Sequence, residues 1–167
     1  MDLDTILGST ELNDKILPCE IFVDEEGEWF HKGNRIIRDD ILDLFYENLA
    51  ITPEGQFIID WRGKQCMLEA ADTPFVISRV DRIESKDGGE AIFLTLRHIA
   101  SRAQLVPETL QVGKENIMYC RIRGGQFPAR FSRPAYYQLA EWIEENPQNG
   151  QFYIELNRNR YPLQTCE

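Results

Sequence analysis

Residues 35–68, RIIRDDILDLFYENLAITPEGQFIIDWRGKQCML, and residues 130–163, RFSRPAYYQLAEWIEENPQNGQFYIELNRNRYPL, align without a gap at a constant offset of 95 residues. Arg35 and Arg130, Arg38 and Arg133, Leu44 and Leu139, and Leu68 and Leu163 coincide. Gly55-Gln56-Phe57 falls on Gly150-Gln151-Phe152, followed by Ile59 on Ile154 and Asp60 on Glu155. A repeat of this kind lets each copy test the structural reading of the other.

In the first copy Ile41, Leu44, Phe45 and Leu49 recur at helical spacing, which predicts an amphipathic helix over 39–49. Asp39 and Asp40 sit in its first turn, where negative charge suits the helix dipole. Thr52-Pro53-Glu54-Gly55 ends it, and strands over 56–61 and 64–70 follow around Arg62-Gly63. In the second copy Ala135, Leu139, Trp142 and Ile143 predict a helix over 134–145. Pro134 suits the first turn, where its missing N–H costs little. Strands over 151–156 and 160–163 then turn at residues 157–159.

Each copy is preceded by a hairpin. One spans 19–32 around Asp24-Glu25-Glu26-Gly27, the other 116–131 across Gly124-Gly125. A bridging hairpin, 74–85 with 91–98, turns at Lys86-Asp87-Gly88-Gly89. Residues 101–112 are ambiguous, with a break at Pro107. The expected fold is α+β: two repeated strand-strand-helix-strand-strand units with antiparallel sheets, joined by the bridging hairpin. The expected organisation is a leader over 1–18, an N-terminal half with the bridging hairpin over 19–98, and a C-terminal half over 99–167.

The chain has 167 residues, 43% hydrophobic, enough for one ordinary domain or two small interlocked halves. No apolar run reaches the ~18 residues that span a bilayer, and the start, MDLDTILGSTELNDK, lacks the basic and apolar segments of a secretory signal. A cytoplasmic protein without a membrane partner is expected. Net charge is −10. Residues 1–60 hold 15 acids against 4 bases, while the rest is nearly balanced. This balance disfavours nucleic acid, which needs phosphates neutralised. Cys19, Cys66, Cys120 and Cys166 are too scattered for a CxxC metal or redox pair, so reduced core cysteines are expected, with no metal and no cofactor.

The same residues carry a resemblance. Gly27-Glu28-Trp29-Phe30, Leu42-Asp43-Leu44-Phe45 and Asp72-Thr73-Pro74-Phe75 form one signature. Arg123-Gly124-Gly125-Gln126-Phe127-Pro128-Ala129-Arg130-Phe131-Ser132-Arg133, then Tyr136-Tyr137-Gln138-Leu139, form the other. Together they resemble the bacterial family called domain of unknown function 1285, over about residues 19 to 163. The glycine turn is one residue further from the Ala-Arg pair than in the family, and Ile59-Asp60-Trp61 stands where the family tends to have Thr-Pro with a nearby acid. The resemblance implies a fold with repeated motifs and suggests a part in signal transduction. It supplies no catalytic residues.

The best candidate site is an arginine cluster. Between Asn116 and Ala140 stand Arg121, Arg123, Arg130 and Arg133 and no acid. Ser132 is a natural cap for the second helix. Guanidinium forks and free helix N–H groups suit a phosphate or carboxylate. Pairing with the acids of the first half would explain the same arginines structurally. Arg35 and Arg38 occupy the equivalent places in the first copy, but Asp39 and Asp40 follow them, whereas Pro134 and Ala135 follow Arg133. Trp29, Phe30, Tyr136, Tyr137 and Trp142 read as core or as a groove lining, and His31 and His98 as structural strand residues. The chain therefore reads as a non-enzymatic binding module for a small anionic ligand or a protein partner. The alternative is an enzyme of unrecognised type acting on a phosphorylated or carboxylated small molecule, with Tyr119, Cys120 and Tyr137 as the candidate groups.

Overall fold

The structure, a computed structural model, describes residues 16–165. Residues 1–15 of the expected leader, and Cys166, lie outside the described residues. The chain divides into two compact units, Met1–Pro74 and Phe75–Glu167. The boundary therefore falls before the bridging hairpin, not after it at residue 98. The hairpin's first strand is the spine of the second unit, as its pairings show. Among the described residues no helix is long and apolar enough to cross a membrane.

The first unit is one sheet with one helix. Its elements are β1 (Leu17–Val23), β2 (Trp29–His31), β3 (Asn34–Arg35), α1 (Asp39–Glu47), β4 (Leu49–Ile51), β5 (Phe57–Trp61) and β6 (Lys64–Ala70). The strand order is β3-β2-β1-β6-β5-β4. β1 runs parallel to β6, so the sheet is mixed rather than antiparallel. The expected hairpin turn closes at Gly27, whose φ of 83° is in the left-handed region that glycine adopts without strain.

The helix stops at Glu47, two residues before the expected end. Asn48 caps it by donating from Nδ2 to the Leu44 carbonyl at 2.8 Å. Leu49 instead opens β4, opposite Ile59. Helical periodicity could not separate these outcomes, because Leu49 is buried in either. The helix also buries Leu42 and Tyr46, so its apolar stripe is wider than expected. Trp29 lies at the centre, fully buried. Its ring stacks on Phe45 at 5.5 Å and meets Tyr46 edge-on at 5.0 Å. The indole Nε1–H donates to the Tyr46 hydroxyl at 2.9 Å, which donates in turn to the Pro74 carbonyl at 2.8 Å. Each buried polar atom of the large aromatics is thereby satisfied.

The expectation of reduced cysteines is corrected at one pair. Cys19 on β1 and Cys66 on β6 form a disulfide, with Cα atoms 5.0 Å apart. Parallel pairing of these strands brings together residues 47 apart in sequence. No spacing rule reveals that. Oxidising compartments preserve such bonds and the cytosol reduces them, so this disulfide weighs against the cytoplasmic expectation.

The second unit contains β7 (Phe75–Glu84), β8 (Glu90–Leu96), β9 (Ala103–Gln104), β10 (Gln111–Val112), β11 (Met118–Ile122), β12 (Phe127–Phe131), α2 (Arg133–Ala140), β13 (Ile143–Glu145), β14 (Phe152–Leu156), β15 (Asn159–Pro162) and β16 (Gln164–Thr165). Seven strands form a sheet in the order β16-β10-β11-β12-β7-β8-β9. β13, β14 and β15 form a separate antiparallel sheet. β7 pairs antiparallel with β8 and parallel with β12. The parallel pairing ends at Ile77. Beyond it, the side-chain oxygen of Gln138 on α2 accepts the Val80 N–H at 2.8 Å, standing in for a strand. Helix α2 stops at Ala140, so Trp142 and Ile143 are not on its face. Ile143 instead pairs with Ile154 across β13 and β14.

The two copies agree locally. Ile58 faces Met67 and Trp61 faces Lys64 in one hairpin. Tyr153 faces Pro162 and Leu156 faces Asn159 in the other, each 95 residues on. The wider unit differs from the expectation. A third strand follows each helix directly. In the first unit β6 joins β1 in one sheet, whereas β15 belongs to a sheet of its own. The architecture is α+β with mixed and antiparallel sheets.

Two stability tests follow from the first unit. Tyr46→Phe strands the Trp29 N–H and the Pro74 carbonyl, and urea denaturation should show a loss of about 1–3 kcal/mol. The double variant Cys19→Ala/Cys66→Ala should lose about 2–4 kcal/mol, and dithiothreitol should lower the wild-type midpoint but leave that variant unchanged.

Candidate functional site

The second unit brings the expected arginines to two cavities rather than one. Arg121 lies on β11 and Arg123 in the turn after it, and both line a cavity of about 520 Å³. Arg130, near the end of β12, and Arg133, the first residue of α2, line another of about 320 Å³, with Tyr136 and Tyr137. Ser132 is the helix cap, accepting the Ala135 N–H at 3.3 Å, so its hydroxyl is committed to structure.

The larger of these cavities is framed by β9, a 3-10 turn at Pro107–Thr109 and the β11–β12 turn. Thr109 fixes its geometry. The hydroxyl donates to the Val106 carbonyl at 2.7 Å and accepts the Arg121 N–H at 3.0 Å. In the β11–β12 turn Arg123, Gly124 and Gly125 all have positive φ, 52°, 68° and 84°. Two glycines make this tight reversal cheap. Arg123 takes the same conformation with its guanidinium 4.8 Å from the centroid of the buried Phe75 ring. Arg121 Nη1 donates to the Gly125 carbonyl at 3.2 Å and so braces the turn from the strand side.

A third guanidinium completes the cavity. Arg102 lines it and sits 5.0 Å from the centroid of the Phe93 ring. Sequence reading missed it, because Ser101-Arg102 lies in the stretch that showed no period. Among the described residues no Asp or Glu lines this cavity. Ser101, Gln104 and Thr109 supply neutral polar groups, and Leu96, Ile99, Val106 and Ile122 an apolar wall.

A further cavity of about 730 Å³ has the opposite character. Glu84, Asp87, Glu90, Glu141, Glu144 and Glu155 line it with Arg82 and Arg158. Arg82 Nη2 donates to Glu90 and to the Glu155 carbonyl, both at 2.9 Å. The hydrogen bond from Arg82 holds the Glu90 carboxyl below its ordinary range. In this wall Glu155 pairs with Arg160 at 3.9 Å and Glu144 accepts from the Tyr153 hydroxyl at 2.8 Å. Among the described residues no group of three or more His, Cys, Asp or Glu side chains is placed to hold a metal ion.

The remaining candidates disperse. Trp29 is core in the first unit. Tyr136 and Tyr137 contact each other at 5.7 Å, with Tyr137 exposed. His31 is on β2, with its pKa lowered chiefly by burial. His98 lies in a turn with φ of 65°. Cys120 is buried on β11, and burial pushes its thiol up to about 12. A thiol so placed supplies no thiolate near neutrality and is a poor nucleophile.

Known proteins add the fold. The structure is similar to that of a DUF1285 family protein from Silicibacter pomeroyi DSS-3, with 20% sequence identity, a TM-score of 0.72, and coverage of 91% of this chain and 82% of that one. It is also similar to a DUF1285 family protein from Shewanella baltica OS155, with 11% identity, a TM-score of 0.59, and coverage of 72% of this chain and 90% of that one. No protein-family model and no curated protein matches the chain. The chain thus has the fold of the family that its two sequence signatures resemble.

The Cys120 assignment is directly measurable. In a Cys166→Ser background the native protein should bind no Ellman's reagent at pH 8 and one equivalent after urea. Rapid native labelling would restore Cys120 as a reactive group.

Proposed function

We propose that the second unit is a non-enzymatic binding module for a small anionic ligand, seated in the cavity of Arg102, Arg121 and Arg123. One observation carries the reading: among the described residues, three guanidinium groups line that cavity and no carboxylate does. Positive charge around a concavity attracts an anion, and arginine forks orient it. The Thr109 hydroxyl is already engaged and Cys120 is buried, so neither is an activated nucleophile. A ligand-dependent change in this module would suit a part in signal transduction, with the acidic first unit as a surface for a protein partner.

Arg130 and Arg133 form a separate, secondary candidate in this reading. Arg133 makes no ion pair with a described residue, whereas Arg38, its counterpart in the first copy, pairs with Asp40 at 2.6 Å. Thermal shifts against carboxylates, sugar phosphates and nucleotides test the assignment. A ligand at 100 times its Kd should add about 2.7 kcal/mol. Arg121→Glu should remove that gain, and Arg130→Glu/Arg133→Glu should leave it. The reverse pattern would move the site to the smaller cavity.

A further inference from the structure

We infer that the Cys19–Cys66 disulfide is a redox latch: its reduction frees the start of β1, residues 17–20, from β6 while the rest of the first unit keeps its fold. This is independent of the anion-binding reading of the second unit.

The bond sits where the β1–β6 ladder is interrupted. Leu17 and Pro18 lie opposite Cys66 and Met67, and the register then shifts until Phe22 meets Glu69. β1 bulges in that gap, and Glu20 there takes a φ of 60°. A side chain in the left-handed region is strained and persists only where its surroundings hold it. Little else holds this one. Leu17, Pro18 and Glu20 are exposed, so Cys19 is the buried side chain of the four. Pro18 has no N–H to give the ladder. The Glu20 carbonyl accepts the Lys32 N–H at 3.0 Å. Its carboxylate pairs with Lys32 at 3.4 Å between exposed side chains, an arrangement that solvent weakens. Past the bulge the strand is secured differently. Ile21 and Val23 are buried, and residues 21–23 pair with Trp29–His31 of β2. Cutting the bond therefore releases a short arm and leaves the body of the sheet paired.

The step is thiol–disulfide exchange with a dithiol reductant. Its thiolate attacks one cysteine sulfur, the S–S bond breaks and a mixed disulfide forms; the reductant's second thiol then displaces that cysteine. The chain gains two electrons and two protons as the Cys19 and Cys66 thiols, and the reductant leaves as its own disulfide. Both cysteines are 2% exposed, so exchange follows a local opening of the arm, which its sparse burial permits.

Backbone ¹⁵N relaxation of the full chain tests the latch. It is measured on the oxidised protein, after dithiothreitol, after reoxidation with oxidised glutathione, and on Cys19→Ala/Cys66→Ala. Reduction should drop the order parameters of Leu17, Cys19 and Glu20 below ~0.6, while those of β4 and β5 stay near ~0.85. Reoxidation should restore the arm, and the double variant should match the reduced protein with or without dithiothreitol. Unchanged order parameters over residues 17–20 after reduction would overturn the inference, because the arm would then stay docked without the bond. Loss of order throughout the first unit, or a double variant that fails to fold, would overturn it as well, since the bond would then staple the whole unit rather than latch one strand. Resistance of the folded protein to dithiothreitol would show that no opening admits the reductant, and the latch would fall with it.

Discussion

A strand that loses its neighbour halfway along must find another acceptor for its amides, and β7 meets this constraint in the second unit. Its parallel partner β12 accompanies it only from Phe75 to Ile77. The Ser132 N–H then closes the ladder on the Ile77 carbonyl at 2.9 Å, and the chain turns into α2. Three residues on, Val80 would carry an unpaired N–H at the edge. Gln138 reaches from the helix and accepts it. An unsatisfied buried donor costs about 1–3 kcal/mol, so this one side chain fixes where the helix lies on the sheet. The position of β12 relative to β7 then sets the β11–β12 turn over Phe75, and with it Arg123.

The arginines that line this cavity rest on rings and turns. Arg123 rests on Phe75, Arg102 on Phe93, and Arg121 on the Gly125 carbonyl. Cation–π contacts and carbonyl acceptors orient a guanidinium without neutralising it. The acidic cavity of the same unit follows the opposite rule. There Arg82 bonds to Glu90, and Asn157 exchanges hydrogen bonds with the Glu90 backbone at 2.7 and 2.9 Å. Those charges are spent on tying the three-stranded sheet to the β7–β8 hairpin.

The two halves show how one local unit serves two ends. The hairpins β5–β6 and β14–β15 keep the same register, because short left-handed turns at Arg62-Gly63 and Asn157-Arg158 fix it. Their surroundings diverge. In the first unit Arg35 pairs with Glu28 at 3.0 Å and Arg38 with Asp40. In the second, Ala135 stands where Asp40 would be, and Arg133 keeps its charge without a described ion-pair partner. Replacing acids by Pro134 and Ala135 changes electrostatics while keeping a helix start.

Turn chemistry and periodicity made much legible in advance. Both helix starts, the hairpins at Gly27, Gly63, Gly88 and Gly124 and the Ser132 cap all stand in the sequence, because each depends on residues a few positions apart. The parallel pairings, the Cys19–Cys66 bond, the placement of Arg102 beside Arg121, and the division of four arginines between two cavities do not. Each joins segments that only the folded sheet makes neighbours, and no local propensity encodes which strand lies beside which. Helix ends were misread for the same reason. Leu49 and Ile143 fit a helical stripe as well as a strand, and the ladder bonds to Ile59 and Ile154 decided between them.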